Sequence, residues 1–207
     1  MAQRDFWTAD VKWESEPNVG ELRRLNYLLS TDSNVALKGL RALSEQGSLA
    51  ATLCIAIHLD RALPPGSSSD EVVNWYQKAA EWGSRAALYQ LGVKQSEMAR
   101  WAEAERSFGR GAERDFPPCL YRLARLYIDR RPRSAENDIL IDDLLRRGTR
   151  AHHIYCTRDY MLRSLSGRRG IHGFMEGLVL IPIFWLRFAN VMRKAIAGDE
   201  FDETIYA

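Results

Sequence analysis

One recurrence restricts the fold more than any other feature of this chain. The run NWYQKAAEWGSRAALYQLG, Asn74 to Gly92, places alanine pairs on both sides of Gly83. Similar surroundings return 36 residues earlier at Gly47, 32 residues later at Asp115 and a further 33 later at Gly148. A period in the thirties is the mark of stacked supersecondary units. None of them can bury its apolar face alone, so each must lean on its neighbours.

The register extends to both sides of each anchor. Three residues after it stand Ala50, Ala86, Pro118 and Ala151, and six after it Leu53, Tyr89, Tyr121 and Ile154. Nine after it are the small residues Ala56, Gly92, Ala124 and Thr157. Upstream by four are Leu43, Ala79, Gly111 and Leu144, and upstream by seven Leu40, Tyr76, Phe108 and Ile141. These intervals follow a helical period on either side of the anchor, so the spacing predicts a helix, a tight corner and a second helix. Glycine suits the corner because a helix often ends in a left-handed residue. Small residues let the paired backbones approach, and the larger ones fill the space between pairs. The residues at the sixth offset, Tyr89 and Tyr121 among them, read as core.

Trp75, Tyr76, Ala79, Ala80, Gly83, Ala86, Leu91 and Gly92 carry a further signal. Their arrangement resembles the Sel-one-like repeat, a relative of the tetratricopeptide repeat. That family shows an aromatic-x-x-Ala-Ala-x-x-Gly corner followed by Ala-x-x-x-Leu-Gly. The resemblance covers roughly residues 34–165 and is weakest in the unit around Gly148. It implies an adaptor that brings other proteins together without shared catalytic residues.

Helices are expected over 19–29, 35–45, 48–60, 70–82, 84–98, 100–114, 117–129, 134–147 and 149–165. Residues 1–17 read as an irregular arm whose Phe6, Trp7 and Trp13 dock on the array. The array itself occupies 18–165, an apolar cap or anchor 166–198, and an acidic tail 199–207 with Phe201, Ile205 and Tyr206. The expected fold class is all-α, a right-handed superhelical solenoid of antiparallel helix hairpins with a C-terminal capping helical segment.

Composition narrows the function. The formal net charge is +2 at pH 7, too near neutral for a dedicated nucleic-acid binder. Cys54, Cys119 and Cys156 are sparse and odd in number, which suits a reducing compartment. The charged N-terminal residues lack the apolar core of a signal peptide, and the expected location is cytoplasmic, at the inner face of a membrane in the alternative below. No phosphate loop, HExxH or nucleophile elbow occurs in the sequence, so neither catalysis nor a cofactor is expected. His152, His153 and Cys156 share a helical stretch, but a structural zinc needs four ligands, and a packed histidine beside a core thiol is the preferred reading. His58 and Asp60 have no nucleophile in register with them.

Two surfaces remain as sites. If the second helix of each pair lines a concave face, its exposed offsets, seven and ten, hold Gln90, Arg122, Tyr155, Arg125 and Arg158. The arginines are candidates to grip an acidic protein or peptide, against the plainer reading of a solvated face paired with the acids of AENDILIDD. The second surface is GIHGFMEGLVLIPIFWLRFANVMRKAI, Gly170 to Ile196, with Leu180, Ile183, Phe184 and Trp185 as its expected contact residues. Only ten residues separate Glu176 from Arg187, short of the about 20 that a simple span needs. Arg168 and Arg169 precede the segment, and Arg187, Arg193 and Lys194 lie towards its end. Three readings follow: a cap on the last hairpin, a surface for a partner or for self-association, or an interfacial segment on an anionic membrane. The leading function is a non-enzymatic interaction scaffold; the alternative is a peripheral membrane scaffold anchored by 170–196.

Overall fold

The computed structural model describes residues 10–167 and 170–196. The fold is all-α, and no strand occurs among the described residues. Among the described residues a short 3-10 turn, Trp13–Ser15, precedes ten helices: α1 Val19–Leu28, α2 Ser33–Glu45, α3 Leu49–Arg61, α4 Asp70–Glu81, α5 Arg85–Glu97, α6 Trp101–Glu113, α7 Pro117–Arg130, α8 Ala135–Arg150, α9 Ile154–Leu165 and α10 Gly170–Ile196. The chain divides into two units, Met1–Ser107 and Phe108–Ala207.

Local chemistry sets the helix starts. Side-chain oxygens of Asn18, Asp32, Ser48, Ser69, Ser84 and Ser134 accept the amide three residues on at α1, α2, α3, α4, α5 and α8. Each satisfies an amide the helix itself leaves unpaired. At α7 the prolines Pro117 and Pro118 occupy the first turn, where a missing N–H loses nothing.

Corners follow one hydrogen-bond scheme. Ser48 N donates to Leu43 O at 3.0 Å, Ser84 N to Ala79 O at 3.2 Å, Phe116 N to Gly111 O at 3.0 Å and His153 N to Gly148 O at 2.9 Å. Such a six-to-one bond needs a left-handed residue just before the donor. Those residues are Gly47 (φ 96°), Gly83 (φ 98°), Asp115 (φ 52°) and His152 (φ 64°). Ala99 (φ 57°) serves the same role between α5 and α6.

The fourth corner is therefore His152, not Gly148. Gly148 lies buried inside α8, four residues before the bend, as Ala79 and Gly111 do in their own units. The reason is steric. A Cβ on Gly148 would lie 2.3 Å from Cys156 Sγ, so glycine is required for helix packing there rather than for backbone freedom. The helix expected over 149–165 accordingly starts at Ile154, and α8 runs on to Arg150.

In the first unit, α1 packs on α2 and α3, and α2 to α5 pack in sequence. Leu40, Leu53, Ile55, Val72, Tyr76 and Leu88 are its large core residues, and Ala79, Ala80 and Ala87 are fully buried between backbones. The arm locks onto this unit through two carboxylates. Asp10 Oδ2 accepts the amides of Arg85 at 2.7 Å and Ala86 at 3.4 Å, at the start of α5. Glu16 accepts from Ala50 N at 3.1 Å and from the Ser48 hydroxyl at the start of α3. Anionic caps at helix N-termini are favoured by the backbone dipoles. Trp13 packs against the core, whereas Phe6 and Trp7 lie outside the described residues.

In the second unit, α7, α8, α9 and α10 pack in sequence over Leu120, Leu123, Ile141, Leu145, Cys156 and Tyr160. α10 is one continuous helix of 27 residues despite Pro182.

Candidate functional site

With the bend at His152, the offsets of the fourth hairpin move. The residues seven and ten after the corners become Cys54, Gln90, Arg122 and Asp159, then Ile57, Val93, Arg125 and Leu162. None of the eight is buried, although the helices carrying them are largely core. Tyr155 and Arg158 leave the row: they stand three and six after the corner. The sequence register failed here because Gly148 imitates a bend it does not form.

The geometry of Arg158 follows from that shift. Its Nε donates to Asp159 Oδ1 at 2.7 Å, its Nη2 donates to the Tyr121 hydroxyl at 3.3 Å, and its guanidinium lies 5.3 Å from the Tyr155 ring centroid. Tyr121 also meets the His153 and Tyr155 rings at 5.6 Å each. Burial, and then the Asp159 carboxylate, raise the Tyr121 hydroxyl above its ordinary range, so it stays a neutral acceptor. Tyr155 and Arg158 thus build a structural knot, with Tyr121 half-buried inside it. Arg122 is half-buried on α7. Gln90 belongs to the first unit, where it sits half-buried on α5.

Arg125 points elsewhere. It pairs with Asp129 at 3.3 Å and lines a cleft of about 370 Å³ in the second unit. The cleft lies among the C-terminal part of α7, the α7–α8 loop, the start of α8 and the end of α9. Tyr127, Ile128, Ile141 and Leu162 form apolar wall; Arg125, Arg131, Arg133 and Arg163 bring cationic groups; Asp138 and Asp159 bring anionic ones. Arg163 is fixed by Asp142 and Asp138, each at 2.7 Å, and so braces α9 against α8. Arg131 stacks over the Tyr127 ring at 3.8 Å. Asn137 holds the loop from the other side, donating to Pro132 O at 2.7 Å. Four arginines against two carboxylates leave the lining cationic. The sequence signal for this cleft is the run Arg130, Arg131, Pro132, Arg133, in which the proline ends α7 and the arginines flank it.

The structure resembles the crystal structure of a Sel1 repeat protein from Oxalobacter formigenes, with a TM-score of 0.58 and 20% identity over 84% of this chain and 72% of that one. Its fold is that of the Sel1-like repeats. No family model matches the sequence, and no curated protein matches it.

Within this Sel1-like fold the remaining candidates take their places. His153 caps α9, its Nδ1 accepting from Cys156 N at 3.3 Å, and is fully buried. His152 is exposed at the bend, so the three residues His152, His153 and Cys156 do not converge on one point. Asp60 accepts from the Tyr76 hydroxyl at 3.2 Å and pairs with Lys94 at 2.7 Å. Burial first, then Asp60, push Tyr76 far above its ordinary range. That group is a buried brace between α3, α4 and α5.

The Sel1-like hairpins end against α10, where the expected contact residues need correction. Leu180 is 9% exposed and faces α9; Ile183 and Phe184 are half-buried; Trp185, at 60%, is the one on the outer face. The cause is helical phase. Gly173, Gly177, Leu180 and Phe184 share the inner stripe, and a Cβ on Gly177 would come within 2.9 Å of Leu165. The length argument also changes. Glu176 accepts from the Tyr160 hydroxyl at 2.9 Å, and Arg187 donates to Thr149 O at 2.9 Å and Thr157 Oγ1 at 2.7 Å. Both charges face inward and do not interrupt the outer surface. The stretch Gly170–Arg193, 24 residues with a hydropathy of 1.5, is long and apolar enough to cross a membrane. Arg168, Arg169 and the acidic tail lie outside the described residues.

Proposed function

We propose that this chain is a non-catalytic docking scaffold and that the cleft of its second unit receives an acidic segment of a partner protein. One observation carries this reading: a cleft of about 370 Å³ with an apolar wall and four arginines around it. That volume lies at the lower end of the range for ligand pockets, about 300–1,000 Å³, and suits one or two side chains of a peptide. Arginine recognises carboxylates through two parallel N–H bonds, which gives direction as well as charge. Arg163 is held by two aspartates and serves the wall. Arg131, which stacks on Tyr127 and donates to Asn137 Oδ1, would meet the ligand together with the exposed Arg133. The resemblance to a Sel1 repeat protein supports a scaffold of this kind and leaves the choice of face to the cleft chemistry.

The test is binding of a library of acidic and neutral peptides by fluorescence anisotropy, with the Arg131→Glu/Arg133→Glu double variant as comparator. Acidic peptides are expected to bind and to weaken as salt rises. The double variant is expected to lose roughly 2 kcal/mol or more of binding, the size of one charge-assisted contact or greater. Equal binding by the variant refutes the assignment of this cleft.

A further inference from the structure

We propose that the outer face of α10 lies in the plane of an anionic lipid surface. Nine large apolar side chains on this helix are 38–75% exposed: Ile171, Phe174, Met175, Leu178, Val179, Trp185, Leu186, Phe188 and Met192. Taking about 200 Å² per large side chain at half exposure gives on the order of 900 Å² of apolar surface, above the few hundred Å² that soluble monomers tolerate in one patch. The nine are not scattered. At 100° per residue they fill one half of the helix, centred opposite the Gly173, Gly177, Leu180, Phe184 stripe that packs on α9. The two polar exposed residues His172 and Asn190 fall on a single flank, five turns apart. From Ile171 to Met192 the face runs about 32 Å without an outward charge.

Charge selects the occupant. The one acidic residue of α10, Glu176, is turned inward onto Tyr160. Among residues 170–193 the exposed charge is Arg193. Arg187 bonds to Thr149 O, which brings the end of α8 and its exposed Arg150 alongside. Among the described residues, an apolar face flanked by Arg150 and Arg193 complements anionic headgroups. Lying flat also follows from the packing. Crossing the bilayer would strip Glu176 and Arg187 from their partners and place both charges in hydrocarbon, which is strongly unfavourable. In the plane, the inner stripe keeps α9 and the outer half enters the headgroup boundary.

The inference stands apart from the docking reading, since no residue of α10 lines the cleft. The test is flotation of the full chain with vesicles of phosphatidylcholine mixed with phosphatidylglycerol and with vesicles of phosphatidylcholine alone. The expected result is binding to the mixed vesicles, weakened by salt and weaker still on the neutral ones. The Val179→Glu/Leu186→Glu variant, altered at positions 62% and 73% exposed, is expected to fold normally and to lose roughly 100-fold in partitioning. Ile139→Glu, at an exposed position on α8, is expected to float as the unaltered chain does. The proposal is overturned if the chain ignores anionic vesicles, or if Val179→Glu/Leu186→Glu floats unchanged. It is also overturned if sedimentation shows a dimer that this variant abolishes.

Discussion

Replacing Gly148 by alanine separates two forces of opposite sign. In a helix interior, glycine-to-alanine normally stabilises by about 1 kcal/mol through backbone entropy. Gly148 is such an interior position, in α8 with a right-handed backbone. Yet the new Cβ would sit 2.3 Å from Cys156 Sγ and 2.8 Å from Cys156 Cβ, and Cys156 is fully buried. Relief requires α8 and α9 to part by more than an ångström or Cys156 to leave its rotamer, and overpacking of this kind costs about 1–3 kcal/mol. The net expectation is a loss of about 1–2 kcal/mol, or a fall of roughly 3–6 °C in Tm for a chain of this size. The assay is a double-mutant cycle with Cys156→Ala, read by urea denaturation. Removing Sγ relieves the shorter contact, so the pair should show a favourable coupling of about 1 kcal/mol or more. A bend at Gly148 would instead make Gly148→Ala costly through left-handed strain, with no dependence on Cys156. Stability equal to or above that of the unaltered chain, or zero coupling, would refute the packing argument.

Two more expectations follow from the backbone at His152 and the burial of the thiols. His152→Gly should stabilise by about 1 kcal/mol, because His152 holds φ 64° without glycine's freedom; denaturant midpoints decide it, and a loss of stability contradicts the bend. Burial, aided by Glu16, raises the Cys54 thiol to about 11, and burial pushes Cys119 and Cys156 higher still. At pH 8 only about 0.1% of Cys54 is then thiolate, so an aromatic disulfide reagent should react slowly with the native chain, gain on Cys54 as pH rises, and titrate three thiols after unfolding.

The sequence alone settled the fold class. Helical spacing around Gly47, Gly83 and Asp115 depends on neighbours a few residues away, and such local patterning leaves few alternatives to helix hairpins. It could not place the fourth bend, because a glycine needed for close packing and one needed for a left-handed turn are the same letter. Only contact with Cys156, on the next helix, tells them apart. The same limit explains the site. Composition marked α10 as apolar, but its inward and outward halves are decided by Gly177 against Leu165 and by Arg187 reaching Thr149 and Thr157. Likewise Arg158 and Arg131 look alike in sequence. Tertiary packing sets one among Tyr121, Tyr155 and Asp159 and the other between Tyr127 and Asn137 at a cleft, since the partners each guanidinium meets are brought near only by folding.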